Sequence, residues 1–316
     1  AQQGIQQADS RVLSRAVVPR VPSAPRKSMI LALSALLGVM LGAGLVLIRE
    51  LRKNTFRTAR DLEQVTGYTV MGQVPLIPAR SRKGSMAYLA DKPSSAAAEA
   101  IRNLRTSILL SNVDNPPQIV VTASSLPGEG KTTLALALAQ NMAGMGKKVL
   151  LVEGDIRRRV FGKYFDSDNA RGILSVLSGD ATLKEAVLRD DRIGADILVG
   201  EKSSVNAADL FSSNRFSGFL KDTRKHYDMI IIDTPPVLVV PDARVIGQFA
   251  DAILFVVKWD STSKSQVEEG LHMFETVRLR ATGLVLSQID PKGMKRYGYG
   301  EKYGAYSAYG KKYYTN

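Results

Sequence analysis

Residues 118–155 constrain the fold most, because they read as strand, glycine-rich turn, helix, strand. QIVVTAS is β-rich, LPGEGK is a turn, TTLALALAQNMAGMG is helical, and KKVLLVEGD is a second buried strand. Further apolar runs recur at MIIID (229–233), DAILFVV (251–257) and GLVLSQI (283–289), with room for helices between them. Strands without polar alternation need cover on both faces, so the spacing predicts an α/β, P-loop NTPase-type doubly wound parallel sheet.

The turn Ser125-Leu126-Pro127-Gly128-Glu129-Gly130-Lys131-Thr132 fits the Walker A pattern, with Ser125 in place of its first glycine. Gly128 and Gly130 let backbone N–H groups turn inward around phosphate, and the following helix N-terminus adds its positive end. Lys131 reaches the β and γ phosphates and Thr132 can ligate Mg²⁺. The candidate nucleotide-binding set is therefore Leu126, Pro127, Gly128, Glu129, Gly130, Lys131, Thr132 and Thr133. Asp233 closes the run Asp228-Met-Ile-Ile-Ile-Asp, the Walker B arrangement, where a strand-end carboxylate orients a water on the metal. Glu153 and Asp155 end VLLVEGD, and alternation by two points both towards the nucleotide. Of the arginines that follow, Arg157 is the candidate for a role at the site, whereas Arg158 and Arg159 read as a solvated basic turn.

Residues 29–48, MILALSALLGVMLGAGLVLI, carry no charge over a length that crosses a bilayer as a helix. Gly38, Gly42 and Gly44 offer a small-residue face on it. Five basic residues stand on either side, so charge does not orient the span. A site that needs ATP puts the C-terminal side in the cytoplasm and residues 1–28, with Pro19, Pro22 and Pro25, outside. Residues 49–85 combine basic groups, a short amphipathic stretch (59–65), Gly72, Pro75 and Pro78, and read as a juxtamembrane linker.

The chain contains 43 Lys and Arg against 30 Asp and Glu, a net charge of +13. Residues 1–60 hold +8 of it and residues 291–316 hold +5, leaving 61–290 neutral. A nucleic-acid-binding domain is itself basic, so none is expected, and the charge beside the apolar span points to membrane lipids. The absence of Cys excludes disulfides, thiol nucleophiles and Cys-ligated metals, and a complement of two His argues against a His-based metal site. Seven of the 11 tyrosines fall at Tyr297, Tyr299, Tyr303, Tyr306, Tyr309, Tyr313 and Tyr314, among glycines and almost without aliphatic residues. Such a segment cannot build a core and is expected to be disordered. Each phosphotyrosine adds about −1.5 to −2 charges, so full modification would reverse the sign of the tail. A sticky Gly/Tyr tail and a stacking platform for single-stranded RNA are the alternatives from composition.

Together these features resemble the bacterial tyrosine kinases (BY-kinases) fused to Wzz-like polysaccharide co-polymerases of the inner membrane. The match rests on SSLPGEGKTT, VEGDIR (Walker A′), IIIDTPP and the terminal Tyr cluster in that order, and upstream on the prolines before GVMLGAG. The chain begins without Met, and the resemblance implies that a first transmembrane helix and most of an external domain precede it. It divides the chain into an external segment (1–28), a transmembrane helix (29–48), a linker (49–85), a kinase domain (86–290) and an autophosphorylated tail (291–316). It gives Glu99, Arg102 and Arg105, an ExxRxxR stripe, the role of a contact between subunits in a homo-oligomeric ring, an octamer. The implied activity is transfer of phosphate from Mg²⁺-bound ATP to tail tyrosines of neighbouring subunits. In that scheme Lys131 and the loop amides stabilise the transferring charge, Thr132, Asp155 and Asp233 hold Mg²⁺ directly or through water, and Glu153 or Asp155 is the base, with Arg157 a further catalytic candidate. The implied partners are the polysaccharide polymerase and export machinery and a tyrosine phosphatase. The first Walker A′ position is usually Asp, and here it is Glu153. A non-catalytic nucleotide-sensing scaffold and a MinD/ParA-like membrane ATPase are the rival readings; for the latter, Leu126 stands where an extra Lys is typical.

Overall fold

The computed structural model describes residues 18, 24–51, 54–79, 81–165, 170–202 and 206–297. The Pro19 and Pro22 positions and the tyrosines from Tyr299 onward lie outside the described residues. The chain divides into two units, residues 1–53 and 54–316.

In the first unit, helix α1 (Lys27–Leu51) contains the uncharged run. Between residues 27 and 48 it is long and apolar enough to cross a membrane, and none of it is buried within the chain. A helix apolar on every side and left unburied by the described residues needs an apolar surrounding.

The second unit is an eight-stranded sheet. Its strands are β1 (Val70–Pro75), β2 (Ile119–Ser124), β3 (Val149–Glu153), β4 (Leu188–Arg189), β5 (Asp196–Leu198), β6 (Met229–Asp233), β7 (Ala252–Lys258) and β8 (Gly283–Ile289). They lie in the order β1-β8-β7-β2-β6-β3-β5-β4, parallel except for β4 against β5. The apolar runs alternate between two cores. Ile119, Val121, Leu150, Val152, Ile230 and Ile232 face one, and Val120, Val149, Leu151, Met229 and Ile231 face the other. Helices α4 (Ala96–Leu109) and α5 (Lys131–Ala143) cover the second face, and Lys264–Glu275 packs on the first.

The expected linker is corrected by this architecture. From residue 54 the chain is part of the folded unit: Phe56 and Leu62 are fully buried, helix α2 (Ala59–Thr66) is capped by Thr58 and closed by left-handed Gly67, and β1 forms the sheet's edge. The glycine and proline that read as linker signals have edge-strand reasons. At Gly72 a Cβ would lie 3.0 Å from the Leu104 side chain, and Pro75 ends an edge strand, where a missing N–H is tolerated. Helix α3 (Arg82–Asp91) follows, capped by Ser81.

At the other end, a helix at Pro291–Arg296 places Met294 in the core, so the expected disordered tail does not start at residue 291. Tyr297 sits 3.7 Å beneath the Arg57 guanidinium with its ring beside Trp259. Truncating Phe56 tests whether this entry segment is structural. Phe56→Ala is expected to cost about 3–5 kcal/mol, read as a lowered denaturation midpoint of the detergent-solubilised chain.

Candidate functional site: a phosphate loop between strand ends

The turn after β2 is shaped by two left-handed glycines, Gly128 (φ 84°) and Gly130 (φ 94°). Side chains would strain the backbone at both positions. Ser124 Oγ donates to Leu126 O at 2.9 Å and Gln288 Nε2 donates to Gly128 O at 2.8 Å. Helix α5 begins at Lys131 with no side-chain cap, so its first N–H groups are left for an anion. Gly128, Gly130, Lys131, Thr132 and Thr133 line one wall of a cavity of about 470 Å³. Nothing lies within 4 Å of the place a Cβ would take on Gly128.

Asp233 stands at the end of β6, paired in register with Thr122 of β2 and with Glu153 of β3. Its Oδ2 accepts the Thr132 hydroxyl at 2.6 Å and its Oδ1 the Thr122 hydroxyl at 3.3 Å. Burial, offset by Lys131, pushes its carboxyl up to about 6. Gly154 lets β3 pass close by: a Cβ there would lie 2.9 Å from the Asp233 carbonyl oxygen.

The two carboxylates after β3 part company, correcting the expectation that they point together. The strand ends at Glu153, so its alternation does not extend to Asp155. Glu153 is fully buried and does not line the cavity; Oε1 accepts Phe161 N–H at 2.6 Å and Oε2 accepts Gly200 N–H at 2.9 Å. Burial raises its carboxyl to about 7. With both oxygens engaged, Glu153 is a brace between β3 and two turns. Asp155 does line the cavity; Oδ1 accepts Arg158 N–H at 3.0 Å, while Oδ2 is buried without a hydrogen-bond partner among the described residues.

The arginines also change places. Arg157 pairs with fully buried Asp242 (Nε to Oδ2 3.1 Å) and donates to Asn206 Oδ1 at 3.2 Å, away from the cavity, whereas Arg158 lines it. The opposite wall was not found from sequence. Leu76, Ile77 and Arg82 come from the segment read as linker, and Tyr164, whose hydroxyl meets Thr133 Oγ1 at 3.0 Å, was hidden among core aromatics. Pairing of β1 with β8 brings Leu76, Ile77 and Arg82 to the phosphate loop.

The Glu99, Arg102 and Arg105 stripe lies on α4, apart from this site. Glu99 and Arg102 bond one another, and Arg105 Nη1 donates to Asn141 Oδ1 at 2.7 Å. Arg105 Nε is buried without a partner, and both arginines line a second cavity of about 490 Å³.

The fit to a nucleotide and a divalent cation rests on the open space at Gly128, the uncapped α5 and the unpartnered Asp155 Oδ2. Among the described residues no cluster of three His, Cys, Asp or Glu holds a metal by itself. A cation here would need phosphate oxygens beside Thr132 and Asp233, as in P-loop sites.

These features define a P-loop nucleotide-binding domain. The AAA domain family matches residues 118–284, and the family described as "G-rich domain on putative tyrosine kinase" matches residues 1–51. The chain is 30% identical over 305 residues to "Putative tyrosine-protein kinase EpsB" of Ralstonia nicotianae, covering 94% of this chain and 40% of the relative. It is 29% identical to "Succinoglycan biosynthesis transport protein ExoP" of Rhizobium meliloti, covering 96% of this chain and 43% of that one. The kinase domain of Escherichia coli tyrosine kinase ETK superposes with a TM-score of 0.68 at 25% identity, over 74% of this chain and 96% of that domain. The chain belongs to the AAA-domain P-loop proteins and, within them, to the bacterial tyrosine kinases. It spans about two fifths of the length of the curated relatives it matches. The apolar helix and the match over residues 1–51 make it a membrane-anchored member.

The raised carboxyls give a pH signature. Asp233 and Glu153 titrate near 6 and 7 in the folded chain against ordinary values of 3.8 and 4.5. Between those limits the folded state holds protons that the unfolded state has released, so these groups lower stability as pH rises, with no further change above about 7. Denaturant midpoints from pH 5 to 8 should show Glu153→Gln gaining on the parent up to about pH 7 and holding a constant difference beyond.

Proposed function

We propose that this chain is the anchored catalytic part of an ATP-dependent protein tyrosine kinase that phosphorylates the C-terminal tyrosines of neighbouring copies. Asp155 carries the reading. A carboxylate with one unbonded, buried oxygen lines the same cavity as the phosphate loop, where an incoming phenol would need a base. The named kinase relatives support the same activity.

In this mechanism, bound Mg²⁺-ATP supplies the phosphoryl group. The loop amides and Lys131 would stabilise the negative charge on the transferring phosphate, and Thr132 and Asp233 would hold the cation directly or through water. Asp155 Oδ2 takes the phenolic proton as the tyrosine oxygen bonds to the γ-phosphorus and ADP leaves. Glu153 and Arg157, engaged elsewhere, support the site's framework instead of acting on the substrate. The acceptors are Tyr299, Tyr303, Tyr306, Tyr309, Tyr313 and Tyr314, while Tyr297 is held against Arg57 and Trp259.

The kinase unit and tail face the cytoplasm, with residues 1–28 across the inner membrane. The Glu99–Arg105 stripe serves as a contact in a ring of copies, an octamer, that presents one tail to the next site. Cycles of phosphorylation, reversed by a tyrosine phosphatase, regulate exopolysaccharide or capsule polymerisation and export. The name of the succinoglycan transport relative supports this setting.

Intact mass after incubation with Mg²⁺ and ATP tests the reading. The parent gains several phosphates, Lys131→Met gains them at least about 10²-fold more slowly, and a chain ending at Tyr297 gains none. Asp155→Asn binds nucleotide but does not transfer its γ-phosphoryl group to tyrosine. ATP hydrolysis without phosphotyrosine would overturn the reading in favour of a partitioning-type ATPase, and neither activity would leave a nucleotide-sensing scaffold.

A further inference from the structure

The phosphate loop contains a glutamate whose side chain turns away from the phosphate side. Glu129 is 2% exposed and does not line the cavity. Its Oε2 accepts Leu126 N–H within the loop at 2.5 Å. Its Oε1 accepts the Thr262 hydroxyl and, at 3.5 Å, Lys258 N–H. Burial raises the Glu129 carboxyl against the effect of these donors. Burying a carboxylate is costly unless it is well bonded, and the bonds at this position join the loop to the chain beyond β7.

That chain is itself held from an unexpected quarter. Asp260 has a left-handed backbone (φ 47°). Its N–H donates to Phe56 O at 2.9 Å, and its Oδ1 accepts from Thr55 Oγ1 at 2.9 Å and Arg57 Nε at 2.7 Å. Trp259 Nε1 donates to Arg57 O at 3.0 Å and Lys264 N–H to Asn54 O at 2.8 Å. Residues 54–57 are the first of the folded unit and follow the apolar helix within a few positions. One short turn, 258–264, thus touches both the start of the folded unit and the inside of the phosphate loop.

We propose that Glu129 is a positioning residue that sets the shape of the phosphate loop through Thr262, and that residues 54–57, by holding Asp260, form part of the nucleotide site's support. Leu126 and Thr262 engage opposite oxygens of one carboxylate, so a shift of the 258–264 turn is felt inside the loop. The segment leaving the apolar helix thereby affects nucleotide affinity without touching nucleotide.

The inference rests on the nucleotide-site reading, which binding by the parent chain checks separately. The experiment titrates a fluorescent ATP analogue with Mg²⁺ into the full chain in detergent micelles, and records thermal unfolding and, for phosphoryl transfer, KM and kcat. Thr262→Val is expected to weaken binding about tenfold, Thr262→Ser to recover to within about twofold of the parent, and Asp260→Ala to weaken it about threefold. KM should follow binding with kcat changed less, and the Thr262→Val/Asp260→Ala pair should fall short of the product of the single effects. If the valine variant does not fold, Thr262→Ala takes its place. Either single variant melting lower but binding nucleotide like the parent would overturn the proposal, because its contacts would then serve stability alone.

Discussion

The site depends on the parallel pairing of β2 with β6. Their register sets Thr122 opposite Asp233, so the strand leading into the phosphate loop and the strand delivering the acidic group end side by side. The Thr132 to Asp233 bond at 2.6 Å follows from that pairing, since Thr132 lies in the first turn of the helix that the loop returns to the sheet. Strands that bury side chains on both faces leave few other places for buried charge, and the C-terminal edge is where helix N-termini and loop amides offset it. Lys131, Asp155 and Asp233 are all buried along this edge.

Hydrogen bonding separates acidic groups that look alike in sequence. Glu129 and Glu153 are each bonded on both oxygens, and each ties a loop to a neighbouring turn. Asp233 is bonded by two hydroxyls, which can rotate when a cation arrives. Asp155 alone of these four has an oxygen with no partner. The framework engages both oxygens of Glu153 and leaves one of Asp155 without a partner among the described residues, a difference that adjacency in VEGD does not reveal.

The folded unit is wider than its motifs. Residues 54–79 close one edge of the sheet and supply a wall of the cavity, and Met294 with Tyr297 pack near where that segment enters. The start of the folded unit and Tyr297 therefore meet around Arg57 and Trp259.

Legible in the sequence alone are the β2–α5–β3 unit, the apolar helix, the β6 to β8 strands and the positions of Lys131, Thr132 and Asp233 at a helix start and a strand end. Those signals are local: glycine spacing, apolar runs and uncharged length act within a few residues of one another. Tertiary structure decided what depends on distant partners. β1 is a strand because β8, over 200 residues later, pairs with it; its proline is tolerated at the sheet's edge and its glycine makes room for Leu104. Arg157 belongs to Asp242 and Arg158 to the cavity because the chain turns immediately after Asp155. No spacing rule distinguishes Glu153 from Asp155, since the difference lies in whether backbone N–H groups at 161 and 200 reach the carboxylate first.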